Sequence, residues 1–365
     1  MPVESRVSTP RSPVGAPIRP ALVVMHHPRR RAGLARLVTA LGDARPAVVV
    51  DPDPTGPPSP LRTAKRAWAA VDARATHHVV LQDDVAPIER FTEHLRAVIA
   101  ARPDAAVALY VNWRSPHNAY LARWAALTGR PFADLAPHEY VPTLGLALPS
   151  EAAIELSRYL SRFPDDFRDD DELVTGFCLA AGLDIVACVP HLLDHLPGSS
   201  VAGNDHHGAR HAAVPLPAGG ISPAYWQRTV KRSPERRRYT VDLYKNRCYL
   251  RFVRAAAGEP AQHPYSWPWA NWCGLIDAEG DRIRSRFRDW LDRATKTVDA
   301  PPADLLELWA ACYLTGRDAG PATGSLPELV DAALGTLVRS GVPNGSPDDL
   351  LDLCRAAADL GREDS

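Results

Sequence analysis

The sequence predicts an α/β protein in which helices cover a mainly parallel sheet, followed by a mainly α-helical C-terminal region. Short apolar runs rich in β-branched residues alternate with helical patterns through the first 200 residues. Such alternation is typical of parallel strands that are buried on both faces. After about residue 215 the character changes to a basic stretch and an aromatic cluster, and three helical patterns close the chain. Of the 365 residues, 45% are hydrophobic, which is enough for a sizeable core.

The elements follow in order from periodicity and from helix-start signals. Six apolar runs are predicted as strands, at 21–25, 46–51, 77–81, 106–111, 144–148 and 185–189. Helical patterns lie between them, around 34–41, 64–71, 91–99 and 173–181. Pro87 is predicted to begin a helix and Ser150 to cap one. Three final helices are predicted to start near Pro302, Pro327 and Pro347, because acidic residues follow each proline.

Composition divides the chain into three parts and disfavours nucleic acid as a partner. Residues 1–19 read as a flexible tail, 20–215 as the α/β domain and 216–365 as the helical region. The net charge of -1 gives no support for a nucleic-acid partner. No apolar run is long enough for a transmembrane segment, and the N-terminus has no signal-like core, so we expect a cytoplasmic protein. The six scattered cysteines are expected to be reduced and buried.

Two adjacent carboxylates follow the third predicted strand, in the run Gln82-Asp83-Asp84. Ligands of parallel sheets bind beyond the carboxyl ends of the strands. Adjacent buried carboxylates repel each other unless a cation or hydrogen-bond donors compensate. A divalent cation shared with substrate phosphates would explain the pair, and a simple turn in which an aspartate caps the next helix is the alternative.

The run THHVVLQDDV, residues 76–85, resembles the acidic motif of GT-A-type glycosyltransferases, and the resemblance extends weakly over residues 21–203. It implies a GT-A-like, Rossmann-like fold whose motif holds Mn or Mg, and through the metal the diphosphate of a nucleotide sugar. Asp84 would be the metal ligand and Asp83 a sugar or ribose contact. The chain departs from the motif at Gln82, where an acidic residue usually stands.

The segments after the first two strands carry further candidates. His27, Arg29 and Arg30 open a helix, where several cations oppose the helix dipole unless an anion binds there. The resemblance implies that Arg29 or Arg30 contacts the nucleotide, and that Asp51 or Asp53 contacts its base or ribose. The same VVVDPDPT run also fits a haloacid-dehalogenase-type phosphatase with Asp51 as the nucleophile. Surface turns remain an alternative for both segments.

On the next helix, Lys65 is a candidate phosphate contact, although the sequence favours a solvated helix face there. Six acidic residues lie within 165–172, more than helix capping requires. The resemblance places a catalytic base at the start of this helix, and Asp170 and Asp171 are the candidates. His195, in the run PHLLDH, matches a histidine that completes the metal site in many such sequences. Ser199 and Ser200 begin a loop that could close on the diphosphate.

Together these segments predict a glycosyltransferase that moves a sugar from a nucleotide-diphosphate donor to an unidentified hydroxyl acceptor with a divalent metal. A different class is also open, a non-catalytic nucleotide- or partner-binding protein on the same fold. Gln82 favours that second class, because it removes one charged ligand from the acidic motif. The phosphatase is the third alternative, although only about 30 residues separate Asp51 from Asp83.

Overall fold

The computed structural model describes residues 17–167, 170–198, 209–229, 238–254, 259–294, 300–321, 324–341 and 347–365. The predicted tail lies mostly outside the described residues. The described strands are β1 (Pro20–His26), β2 (Ala47–Val50), β3 (His77–Gln82), β4 (Val85–Pro87), β5 (Ala106–Ala108), β6 (Phe132–Asp134), β7 (Gly145–Pro149), β8 (Ile185–Cys188), β9 (Leu193–His195), β10 (Tyr239–Tyr244) and β11 (Arg247–Phe252). The described helices are α1 (Arg31–Leu41), α2 (Pro60–Ala69), α3 (Phe91–Ala101), α4 (Asn118–Leu127), α5 (Ser150–Leu160), α6 (Asp170–Ala180), α7 (Trp269–Trp272), α8 (Gly280–Arg293), α9 (Pro302–Ala319), α10 (Pro327–Gly341) and α11 (Pro347–Glu363).

The chain forms two compact units that each combine separate segments. The first consists of Met1–Tyr110, Tyr140–His211 and Ser222–Gln227. The second consists of Val111–Glu139, Ala212–Ile221 and Arg228–Ser365. Residues 111–139 thus group with the C-terminal helices, and the predicted domain boundary at residue 215 stays a prediction.

The central sheet has seven strands in the order β2-β1-β3-β7-β5-β8-β6, and six of them belong to the first unit. β1 pairs in parallel with β2 and β3, and β5 pairs in parallel with β8. The α/β class and the mainly parallel sheet are thus confirmed. β7 runs antiparallel to both β3 and β5. Apolar periodicity does not report this reversal, since a strand buried on both faces has the same pattern in either direction.

These directions place the carboxyl ends of β1, β2, β3, β5 and β8 at one edge of the sheet, which we call the carboxyl edge. The inner strands stay together because their residues are buried on both faces, as Val79, Val80 and Leu81 of β3 illustrate, whereas β2 is mostly exposed at the margin of the sheet. Pro87 ends β4 and does not begin a helix, which corrects the prediction for that residue. α3 begins at Phe91, after Arg90 in a left-handed conformation with φ of 55°.

In the second unit, α4 packs among the C-terminal helices. The Tyr120 hydroxyl donates to Asp318 of α9, and the Trp124 indole N–H donates to the Asp318 carbonyl at 3.1 Å. The buried Arg123 donates to the Thr336 hydroxyl of α10 at 3.1 Å. α9, α10 and α11 begin at their predicted prolines, and the hairpin β10–β11 is an addition that was not predicted within the mainly helical region.

All six cysteines lie in the described part of the chain, and each is a buried free thiol, as predicted. Burial raises the pKa of the Cys178 thiol to about 12, which keeps it protonated at neutral pH. Within the described ranges, no helix has both the length and the apolar character that crossing a membrane requires.

Glu139 is a buried acid whose substitution is expected to stabilise the second unit at alkaline pH. Its carboxylate accepts the Asn118 N–H at 2.6 Å, at the start of α4, and burial raises its pKa from 4.5 to about 7. Between these values the folded protein binds more protons than the unfolded chain, so stability falls as pH rises through this window. We expect Glu139→Gln to be more stable than the parent at pH 8 by about 1–3 kcal/mol and similar at pH 5.

Thermal unfolding at the two pH values measures this difference. The exposed Glu328, in the first turn of α10, provides the matched control, and Glu328→Gln should give no comparable gain at pH 8. A Glu139→Gln protein that melts below the parent at pH 8 would show that the ionised carboxylate contributes net stability as a helix cap.

Candidate functional site

The predicted site residues that follow β1, β2 and β3 lie at the carboxyl edge. The Asp51 N–H donates to the His26 carbonyl at 2.9 Å, which joins the segment after β2 to the end of β1. β3 pairs with β1 in register through Met25 and Gln82, so Asp83 follows at the same level as His26. The fold therefore brings together three segments that are far apart in the sequence.

Asp83 holds the segment after β1 in place with both of its carboxylate oxygens. His26 Nδ1 lies 2.8 Å from Oδ2, and the His27 N–H donates to the same oxygen at 2.9 Å. Arg30 Nη1 lies 3.3 Å from the other oxygen, Oδ1. The side chains of Asp83 and His26 are both buried. Asp83 thus organises the loop, and its predicted contact with a sugar or ribose stays a prediction.

Asp84 and His195 meet because β4 and β9 form a small antiparallel sheet. Val85 pairs with His195, and the Leu196 N–H donates to the Asp84 carbonyl at 2.8 Å. This register places His195 Nε2 3.3 Å from Asp84 Oδ2, with both side chains largely buried. Two residues that the sequence predicts as metal ligands, 111 positions apart, are therefore neighbours.

The charge of Asp84 is stabilised by two neighbours. Arg30 Nη1 donates to Oδ2 and is in ion-pair contact with both members of the acidic pair. Burial by itself raises the pKa of the Asp84 carboxyl, but His195 and Arg30 together outweigh burial and hold that pKa below its ordinary value. Asp84 is consequently an anion over the physiological pH range.

Two buried atoms at this point make no hydrogen bond to any described residue. They are Asp84 Oδ1 and His195 Nε2. An unsatisfied buried polar atom is uncommon in folded proteins and calls for an explanation such as a ligand. A carboxylate oxygen and an imidazole nitrogen are both suitable ligands for Mn, so the residues present fit the ion that the resemblance implies.

Asp51 lies in a bidentate ion pair with Arg62 of α2. Arg62 Nε donates to Oδ1 at 2.7 Å and Nη2 donates to Oδ2 at 2.9 Å. Burial raises the pKa of Asp51, but Arg62, the Asp53 N–H and His27 together outweigh burial and hold that pKa below its ordinary value, so the carboxyl is ionised. The Asp53 N–H donates to Asp51 Oδ1 at 3.1 Å. The side chain of Asp53 is itself 55% exposed. Of the two predicted contacts with base or ribose, only Asp53 presents its carboxylate to solvent.

The predicted basic residues Arg29 and Lys65 differ in whether their charge is already paired within the protein. Arg29 is exposed, and its N–H donates to His27 Nδ1 at 3.2 Å. Lys65 Nζ donates to Asp165 Oδ1 at 2.6 Å and to the Phe163 carbonyl, in the segment between α5 and α6. The charge of Lys65 therefore supports that segment, whereas Arg29 remains available at the carboxyl edge.

The two candidates for the catalytic base open α6. Asp170 is buried and Asp171 is half-buried. The Thr175 hydroxyl donates to the Asp171 carbonyl at 2.7 Å and accepts the Val141 N–H at 2.8 Å, which fixes the first turn. α6 packs against α2 and α5 in the first unit. The role of either aspartate as a base stays a prediction, and the loop beginning with Ser199 and Ser200 lies outside the described residues.

Three residues that sequence reasoning did not assign contribute to this edge. His26 binds Asp83, and Gly33 lies so close to β3 that a Cβ there would be 2.9 Å from the Asp83 carbonyl oxygen. The signal for Gly33 is a glycine in the first turn of a helix, where it has low intrinsic propensity. Tyr110 follows β5 and has a buried hydroxyl with no hydrogen-bond partner among the described residues.

Comparison with known proteins identifies no relative of this chain. No family model matches the chain, and neither does any curated protein. The relation to GT-A-type glycosyltransferases is therefore a resemblance that rests on the run of residues 76–85 and on the order of the polar segments along the chain.

Proposed function

We propose that the first unit binds a nucleotide sugar at the carboxyl edge and transfers the sugar to a hydroxyl acceptor. The observation that carries the proposal is the buried ion-pair contact of Asp84 and His195, in which Asp84 Oδ1 and His195 Nε2 make no hydrogen bond to any described residue. Asp84 follows the carboxyl end of β3, which is where α/β sheets bind their ligands, and the pairing of β9 with β4 brings His195 to it.

The segment after β1 supports binding of the diphosphate. α1 begins at Arg31, directly after Arg30, so the positive end of its dipole lies near the acidic pair. A helix N-terminus next to arginine side chains favours phosphate groups. Arg29 adds an exposed positive charge at the same place.

A divalent ion, Mn or Mg, is part of the proposal. Asp84 and His195 would hold it, and the diphosphate would contribute further ligands, since no three His, Cys, Asp or Glu side chains converge suitably in the described ranges. The ion would neutralise negative charge on the leaving diphosphate. His195 and Arg30 together keep Asp84 ionised, and Asp83 is in ion-pair contact with the same Arg30. Asp170 or Asp171 would take the proton of the acceptor hydroxyl.

The direct test is a thermal-shift screen of UDP-, GDP-, dTDP- and CDP-sugars with and without Mn, followed by a hydrolysis assay of the sugar nucleotide that binds. We expect one nucleotide class to stabilise the protein, and to do so more strongly with Mn. A ligand at 100 times its Kd adds about 2.7 kcal/mol to the free energy of unfolding. A protein that no sugar nucleotide stabilises, with or without metal, would contradict the proposal.

The contact between Arg30 and Asp84 favours a second candidate, a nucleotide-binding protein without catalysis. The Arg30 guanidinium already supplies a positive charge to the carboxylates of Asp83 and Asp84, and Gln82 contributes no charge. This candidate predicts nucleotide binding that is independent of Mn and is accompanied by no hydrolysis of the donor. The phosphatase alternative is less compatible with the geometry, because both oxygens of its would-be nucleophile, Asp51, accept hydrogen bonds from Arg62.

A further inference from the structure

Tyr110 lies at the carboxyl edge after β5, a strand that none of the other proposed ligand residues follows. It follows β5 by two residues, and β5 runs in the same direction as β3 because β7 is antiparallel to both. The Leu109 N–H donates to the Gly145 carbonyl at 2.9 Å, and the Leu109 carbonyl accepts the Leu192 N–H at 3.0 Å. These bonds fix the backbone next to Tyr110 between the start of β7 and the segment that leads into β9.

The hydroxyl of Tyr110 is buried and unsatisfied. The side chain is 4% exposed, and the hydroxyl has no hydrogen-bond partner among the described residues. A buried tyrosine normally finds a partner for its O–H, because leaving it unpaired costs about 1–3 kcal/mol. A phenylalanine would fill the same apolar space without that cost, so the hydroxyl needs an explanation outside the folding of the chain.

The charges around Tyr110 show which chemistry would satisfy it. Burial, together with Tyr140, Asp194 and Asp84, raises the pKa of the phenol far above its ordinary value, and Arg210 only partly opposes them. The phenol is therefore a neutral donor at every physiological pH. The charged side chains that act on the phenol are two carboxylates, Asp194 and Asp84, and one cation, Arg210, so a neutral hydroxyl suits this position. A ligand hydroxyl is compatible, since it accepts from Tyr110 and donates its own proton to a carboxylate.

We propose that Tyr110 binds the transferred sugar, with its O–H donating to a sugar hydroxyl. This inference rests on the proposed function and adds a residue that distinguishes the sugar from the nucleoside diphosphate. Because the hydroxyl does not contact solvent, sugar binding includes a local rearrangement of the side chains that cover it.

The experiment compares Tyr110→Phe with the parent protein by calorimetric titration of the nucleotide sugar and of the nucleoside diphosphate alone, in Mn. We expect the Kd of the nucleotide sugar to rise about 10-fold and that of the nucleoside diphosphate to stay within about twofold. The melting temperature should be unchanged or higher, because the substitution removes an unsatisfied hydroxyl and no internal hydrogen bond. Tyr159→Phe, on α5 of the same unit, is the matched control and should leave both Kd values unchanged.

The outcomes separate the inference from the proposal on which it rests. If the parent binds the nucleotide sugar and Tyr110→Phe binds it equally well, the inference is wrong and the proposed function stands. The inference is also wrong if Tyr110→Phe lowers the melting temperature, or if only the KM of the acceptor rises. If the parent binds neither a nucleotide sugar nor a nucleoside diphosphate, both fail together. Deoxy analogues of the bound sugar then identify the hydroxyl, as the one whose removal weakens binding to the parent but not to Tyr110→Phe.

Discussion

Replacing Asp84 with Asn is expected to reduce sugar transfer by about 1,000-fold or more while leaving the protein folded. The substitution keeps the size of the side chain and removes the charge that would hold the divalent ion with His195. The remaining partner of Arg30, Asp83, is unaffected, so the guanidinium does not become an uncompensated buried cation. The measurement is the rate of donor hydrolysis and of transfer at saturating Mn, with the melting temperature recorded in parallel.

The matched control for this substitution is Asp72→Asn. Asp72 is exposed in the turn before β3, at the opposite edge of the sheet, and its carboxylate accepts the Arg74 N–H at 2.8 Å, which an asparagine oxygen can also do. Transfer by this variant should equal that of the parent. Metal-dependent turnover that survives in Asp84→Asn would show that the ion binds elsewhere, and the assignment of Asp84 would be wrong.

The neighbouring substitution, Asp83→Asn, is expected to act on stability instead, lowering the free energy of unfolding of the first unit by about 3 kcal/mol. The side chain is 3% exposed and interacts with His26, with the His27 N–H and with Arg30. An asparagine cannot satisfy three donors, because half of its amide is itself a donor. Arg30 would then lose one of the two carboxylates that position it.

Hydrogen exchange of the amides of β1 and β3 measures this change, because these strands belong to the first unit alone. Protection should fall in Asp83→Asn by about 100-fold, the equivalent of 3 kcal/mol, and by less than tenfold in Asp84→Asn. Equal protection in the parent and in Asp83→Asn would mean that the buried contacts of Asp83 contribute no net stability. In that case its carboxylate would again be a candidate for direct contact with the ligand.

Asp83 and Asp84 illustrate how much of the candidate site can be predicted from the sequence. Their position after a buried strand follows from local apolar periodicity, and that position alone predicts exposure to a ligand. Their different roles do not follow from it, because both are aspartates in the same turn. His26 and the His27 N–H engage Asp83, whereas His195 lies against Asp84. Such partners are set by the pairing of distant strands, which single-sequence periodicity does not encode.

The same division applies to Lys65 and Asp51. Each has the charge and the place in the chain that ligand binding would require, and the sequence cannot tell whether that charge is already used. In the fold, Lys65 binds Asp165 and Asp51 binds Arg62. Asp53 and Arg29 are more exposed and are therefore accessible for the nucleotide contacts that the sequence predicts for them. The competition between internal and external partners is decided by distance in three dimensions.

The sequence by itself determined the α/β class, six of the seven strands of the central sheet and the starts of α9, α10 and α11, because periodicity and proline preferences act over a few residues. It also determined that polar residues would collect beyond the strand ends. Only the tertiary structure decided that β7 runs antiparallel, that α4 joins the second unit, and that His195 reaches Asp84. Those features depend on contacts between segments distant along the chain, and such contacts form only when the apolar faces of whole elements are buried together.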